Sequence, residues 1–195
     1  FVVFAAISPS GFGLKLLVST NNYDIDLHGK VSKALINDLS ERLNIDKIYF
    51  DKKSNYEIGD AVVGPLLESM GVGFDFVVEE LMKVDSLDMT DEDRRYIVEC
   101  VNASSCDRVL ITHGTDGMIE TARALSVIQG KTIVLTGALQ PAAFAHNDAV
   151  FNIGGSVAAV QTLPNGCYIV MNGRVFTPEN VIKNLEKNRF EPLKN

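Results

Sequence analysis

The run RVLITHGTDGMIETARAL, residues 108–125, places two hydroxyls, an imidazole and a carboxylate where an apolar, β-branched segment gives way to a helical pattern. Its centre, Thr112-His113-Gly114-Thr115-Asp116-Gly117, can serve two ends. In one, Asp116 caps a helix that starts near Met118, Thr115 helps satisfy its free N–H groups, and Gly114 and Gly117 permit a sharp turn. In the other, Thr115 and Asp116 face a ligand. An ionised carboxylate accepts hydrogen bonds from an ammonium group, and the hydroxyl beside it holds a carboxylate, orients water or attacks as an activated nucleophile. His113 reads as a packed strand-end residue, with a general base as the second reading. Local pattern leaves both ends open.

The elements that must position these residues alternate between strand and helix. LKLLVST (14–20), FDFVVEEL (74–81), RVLIT, KTIVLTG and GCYIVMN read as strands, the last three apolar enough to be buried on both faces. KVSKALINDLSERL carries Val31, Leu35, Leu39 and Leu43 on one helical face, and helical patterns also cover 118–129 and 148–162. TDEDRRYIVECVNAS is a helix with its start marked, because Thr90 and Asp93 have capping-box spacing. This order predicts a three-layer α/β/α sandwich with a mostly parallel sheet, Rossmann-like or flavodoxin-like in kind. In such sheets, sites gather at the carboxyl ends of the strands, where Thr112–Asp116, Thr136-Gly137 and Asn172-Gly173 all fall. Asp148 and Asn152 read as a helix cap and a helix-packing amide.

Bulk properties narrow the chemistry. The 195 residues carry a net charge of −7 with no Lys/Arg run, which argues against nucleic acid and anionic membrane as partners. Cys100, Cys106 and Cys167 lack CxxC spacing and cannot all pair, which fits a reducing, cytoplasmic compartment. No apolar run approaches the ~20 residues that span a bilayer. The opening FVVFAAISPS is apolar without a basic n-region, and reads as a first strand or a fragment boundary ahead of a signal remnant. His28, His113 and His146 share no ligand spacing, and no phosphate-binding or dinucleotide glycine loop is present.

THGTD followed by MIETARAL resembles the second signature of bacterial-type L-asparaginases. KSNYEIG (53–59) is similar to that family's flexible active-site loop, with Tyr56 at the loop tyrosine, and DSLDMT (85–90) to the segment carrying its substrate-binding serine, here Ser86. IVLTGALQP, NDAVFNI and NGRVF match further landmarks, so the resemblance covers about residues 45–190. Residues 1–44 are left as an unmatched amino-terminal segment and 191–195 as a tail. The resemblance implies an amidohydrolase that releases ammonia from L-asparagine or a similar small amide, with no metal or organic cofactor. Ser86, Gly114, Thr115 and Asp116 would hold the substrate and Tyr56 would cover it, with Thr115 and Asp116 supporting the chemistry. Oligomerisation is an expectation from the family.

Three departures accompany the match. The family's Thr-Gly-Gly-Thr-Ile segment falls on Glu41-Arg42-Leu43-Asn44-Ile45, so Glu41 stands at the nucleophile position and Thr115 is the best remaining hydroxyl. LKLLVST is expected to take the vacated first-strand position, with Ser19 or Thr20 near the site. The family's lysine, sought eleven residues after Asn152, meets Leu163. The chain also ends soon after NLEKNRFEPL, as in a short relative of the amino-terminal domain alone. These departures sustain a second reading, a catalytically silent member that binds an amino acid or acts in an assembly.

Overall fold

The computed structural model describes residues 2–6, 63–139 and 148–193. A six-stranded sheet lies at its centre, in the order β2-β1-β3-β4-β5-β6. Its strands are β1 (Val2–Ala6), β2 (Val77–Met82), β3 (Arg108–Thr112), β4 (Thr132–Thr136), β5 (Gly166–Met171) and β6 (Arg174–Phe176). All neighbours run parallel except β5 and β6. Helices α1 (Val63–Ser69), α2 (Asp91–Ala103), α3 (Met118–Leu125) and α4 (Ala149–Thr162) connect them. A separate antiparallel pair, β7 (Ile182–Asn184) and β8 (Arg189–Glu191), completes the described chain.

The period-2 alternation of the strands builds the layers. Val109, Ile111, Ile133, Leu135, Ile169 and Met171 pack on one face with Ile97 and Val101 of α2 and Met118, Ala122 and Leu125 of α3. Leu110, Val134 and Val170 point the other way, against Val63 and Leu67 of α1 and Ala149, Ile153 and Val160 of α4. Each such fully buried aliphatic side chain contributes roughly 1.5–3 kcal/mol, so the central strands carry much of the stability. The three-layer α/β/α sandwich with a mostly parallel sheet is the observed architecture.

Helix α2 starts as its sequence predicts. Thr90 accepts from the Asp93 N–H, Asp93 accepts from the Thr90 N–H at 2.7 Å, and three acidic residues occupy the first turn. Arg108, at the start of β3, donates to Thr132 Oγ1 and to the carbonyls of Val160 and Leu163, tying the amino-terminal edge of the sheet to the end of α4.

Some elements fall elsewhere. The slot between β2 and β3 is filled by Val2–Ala6, whereas 14–20 was expected there. A central strand covered on both faces favours the uncharged run VVFAA over LKLLVST with its Lys15. Residues 14–20, with Ser19 and Thr20, and the helical pattern at 30–43 lie outside the described residues. Strand β2 starts later than expected, at Val77, and α3 ends at Leu125 rather than 129. Helix α1 and the β7–β8 pair were not expected at all.

Candidate active site at the carboxyl edge of the sheet

Three segments meet at the carboxyl edge of the parallel strands. After β2, the chain turns at Asp85–Asp88. The Asp85 carboxylate accepts the Leu87 N–H at 3.0 Å, and the Asp85 carbonyl accepts the Asp88 N–H at 2.9 Å. Ser86 sits inside this turn, only 3% exposed, and its hydroxyl has no hydrogen-bond partner. It is a turn residue, as its local sequence suggests, but one with an unused buried donor and acceptor.

The second segment is the β3–α3 turn, which packs on the first by close backbone approach. A Cβ on Gly117 would lie 2.6 Å from the Ser86 carbonyl oxygen, so only glycine lets the two turns touch there. His113 is completely buried. Its Nδ1 faces the Gly114 carbonyl at 2.6 Å and therefore carries the proton, leaving Nε2 to accept from the Thr121 hydroxyl at 2.9 Å. Burial, with a smaller contribution from the charge of Arg94, lowers its pKa to about 4. With both ring nitrogens engaged, His113 is the packed strand-end residue and not a base. Gly114 contributes its carbonyl to that imidazole.

Thr115 and Asp116 separate the two roles open to them. The residue at the helix N-cap is Gly117, with no side-chain capping bond, so Asp116 does not cap α3. Its carboxylate instead takes Lys183 Nζ at 2.5 Å, and the same Nζ lies 2.9 Å from Thr115 Oγ1. The ammonium group is mostly buried, at 15% side-chain exposure, while Asp116 retains 40%. Thr115 is 7% exposed.

Lys183 was not anticipated. A lysine was sought at position 163, but the Leu163 carbonyl is held by Arg108 at the opposite edge of the sheet, beyond the reach of Thr115. The coupled lysine arrives on β7. Its position is fixed from the core outward: Asn152 Nδ2 donates to the Gly137 carbonyl at 3.0 Å and to Asp148 at 2.8 Å, and Asn152 Oδ1 accepts the Asn172 N–H at 3.1 Å. Asn172, with φ of 54°, in turn accepts the N–H of Phe190, the register partner of Lys183, at 2.8 Å. Phe190 is 2% exposed and anchors the hairpin in the α2–α3 core. Asp148 was read as a helix cap, but its carboxylate makes no capping bond and accepts the Leu139 N–H. Asn152 is the packing amide that its position suggested.

The hairpin has its own clamp. The Glu191 carboxylate accepts from Asn184, Arg189 and Lys187, and those hydrogen bonds, Asn184's first, hold its pKa down at about 2. Glu41, at the expected nucleophile position, and Tyr56 lie outside the described residues. No group of three or more His, Cys, Asp or Glu side chains among the described residues could hold a metal ion. No helix among them is long and apolar enough to cross a membrane. The thiols of Cys100 and Cys167 are pushed up to about 11 and 12, mainly by burial, and are poor nucleophiles.

A parallel sheet whose carboxyl edge carries a buried serine, a threonine–aspartate pair and a coupled lysine is the frame of an amidohydrolase-type amino-terminal domain. Comparison with known proteins agrees: the family described as Asparaginase, N-terminal, matches residues 20–192. The chain belongs to that family. L-asparaginase 2 of Escherichia coli is 33% identical over 67% of this chain and 40% of its own length. The probable periplasmic L-asparaginase of Haemophilus influenzae is 35% identical over 54% of this chain and 32% of its own. The crystal structure of L-asparaginase I from Vibrio cholerae superposes with a TM-score of 0.62 at 25% identity, covering 72% of this chain and 47% of that one. The chain thus spans less than half the length of these relatives.

Proposed function

We propose that the chain is an asparaginase-type amidohydrolase, acting on L-asparagine or a similar small amide without metal or organic cofactor. Ser86, Thr115 and Asp116 form the pocket, with Gly114 in its wall and Tyr56 over it. The observation that carries this reading is Lys183 Nζ between Thr115 Oγ1 and the Asp116 carboxylate, where a purely capping Asp116 would have no use for a lysine.

The arrangement suits acyl transfer. Lys183, in its neutral form, takes the Thr115 hydroxyl proton as Oγ1 bonds to the amide carbon. Asp116 keeps Nζ in line and balances the ammonium that results. The proton then passes to the amide nitrogen as the C–N bond breaks and ammonia leaves. Water hydrolyses the ester that remains, freeing aspartate and regenerating the hydroxyl. The same reading brings with it the expected cytoplasmic location and self-association.

The test is ammonia release from L-asparagine by the native chain and by Thr115→Ala. Release that disappears in the variant supports the reading. Thermal stabilisation by aspartate without turnover would favour the silent binder, which Glu41 at the expected nucleophile position suggests. Neither response overturns both.

A further inference from the structure

Ser86 Oγ and Arg94 Nε are the two buried side-chain polar atoms without a hydrogen-bond partner among the described residues. They belong to one corner of the molecule. A methyl group built on Gly117 would lie 2.6 Å from the Ser86 carbonyl oxygen and 3.5 Å from Arg94 Nη2, so both residues wall the same point beside the β3–α3 turn. The charge of Arg94 is also felt at His113, on that same turn.

Helix stability does not account for Arg94. It lies in the first turn of α2, where the helix dipole disfavours a cation. Its side chain is 15% exposed, yet its one ion pair is to Asp91, whose side chain is 97% exposed and well screened. A largely buried guanidinium with a weak partner and an idle N–H is poised for an anion that the chain itself does not supply. Ser86 offers a hydroxyl beside it that can donate to the same anion.

We propose that Arg94 is a specificity-determining residue: its guanidinium selects ligands that bring a free carboxylate against Ser86. This rests on the reading of the Ser86–Thr115 edge as the ligand site. The amide to be cleaved lies toward Thr115 and Lys183, and the carboxylate toward Ser86 and Arg94. Amides without a second, anionic end are poor ligands.

The experiment compares L-asparagine with L-asparaginamide, which lacks the free carboxylate, in the native chain, Arg94→Met and Arg94→Lys. Loss of one charge-assisted contact raises KM for asparagine about tenfold in Arg94→Met, less in Arg94→Lys, with kcat nearly constant and the asparaginamide KM unchanged. Equal losses on both substrates, or none, overturn the inference. Should the native chain show no turnover, calorimetry with L-aspartate and with isoasparagine, its α-carboxamide, decides without any variant. Tighter binding of aspartate supports Arg94 although the amidohydrolase reading falls. Equal binding overturns Arg94 alone, and no binding of either overturns both.

Discussion

Lys183 Nζ reaches Thr115 Oγ1 at 2.9 Å across 68 residues of sequence. The contact joins a three-residue polar strand to the turn after the most buried strand of the sheet, and it turns a helix start into a candidate reaction centre.

Replacing that lysine is the most direct check on the relay. Lys183→Met should lower ammonia release by about 10²–10⁴, the usual scale for a lost acid–base group. The fold should survive, because Phe190 and Asn172 hold the hairpin independently of Nζ. Unchanged turnover in a folded variant would remove Lys183 from the chemistry.

The route by which Lys183 is positioned makes a separate prediction. Asn172→Gly keeps the left-handed φ of 54° that glycine adopts freely but deletes the acceptor for the Phe190 N–H. Activity should fall more than stability, since the lost hydrogen bond is worth about 1 kcal/mol. Parallel melting curves and ammonia assays would show it.

Acid should weaken the fold through His113. Its pKa is depressed from 6.5 to about 4 in the folded chain by burial, so the unfolded chain binds a proton that the folded one refuses. Stability is therefore fully present above about pH 6.5 and declines as pH falls toward 4. At about 1.4 kcal/mol per pK unit the loss approaches roughly 3 kcal/mol. Denaturant titrations of the native chain and His113→Asn between pH 7 and 4 test this, with a much flatter profile expected in the variant.

Gly137 marks a second close approach. A Cβ there would fall 2.2 Å from the His113 carbonyl oxygen, on rigid backbone. Gly137→Ala should cost about 1–3 kcal/mol or more as β3 and β4 are forced apart. A melting temperature within a degree of the native value would show that the two strand exits have room to move.

Thr90→Ala serves as the contrast. It removes a capping box remote from Lys183, so about 1 kcal/mol of stability should go. That corresponds to roughly 2–4 °C in a chain of this size, with turnover unaffected.

What could be read in advance follows from how local each signal is. RVLIT, TIVLT and GCYIVM declare themselves because strands buried on both faces need unbroken apolar runs. Thr90 and Asp93 declare a helix start because both capping bonds span three residues. Asp116 was ambiguous for the same reason: a carboxylate two residues before a helix serves equally as cap or as ligand group, and only its distant partner decides. Lys183 gave no signal at all, being a single lysine in a short polar strand whose partners are set by tertiary packing. Helix α1 was equally silent, with seven residues opening on Val-Gly-Pro and no complete apolar period. The position of β1 depended on a choice between two apolar runs that only sheet pairing could settle.

The seating of β1 governs how the molecule comes together. Val2 pairs with Val77 on one side and with Val109 on the other, so the middle of the sheet is closed by the strand most distant in sequence from both its neighbours. Long loops must be closed before that pairing is rewarded, which slows assembly. Until β1 arrives, β2 and β3 present two unpaired strand edges to each other and to any other chain nearby. The sheet is sealed from its centre, and a chain caught before that step is the species most prone to stick to its own kind.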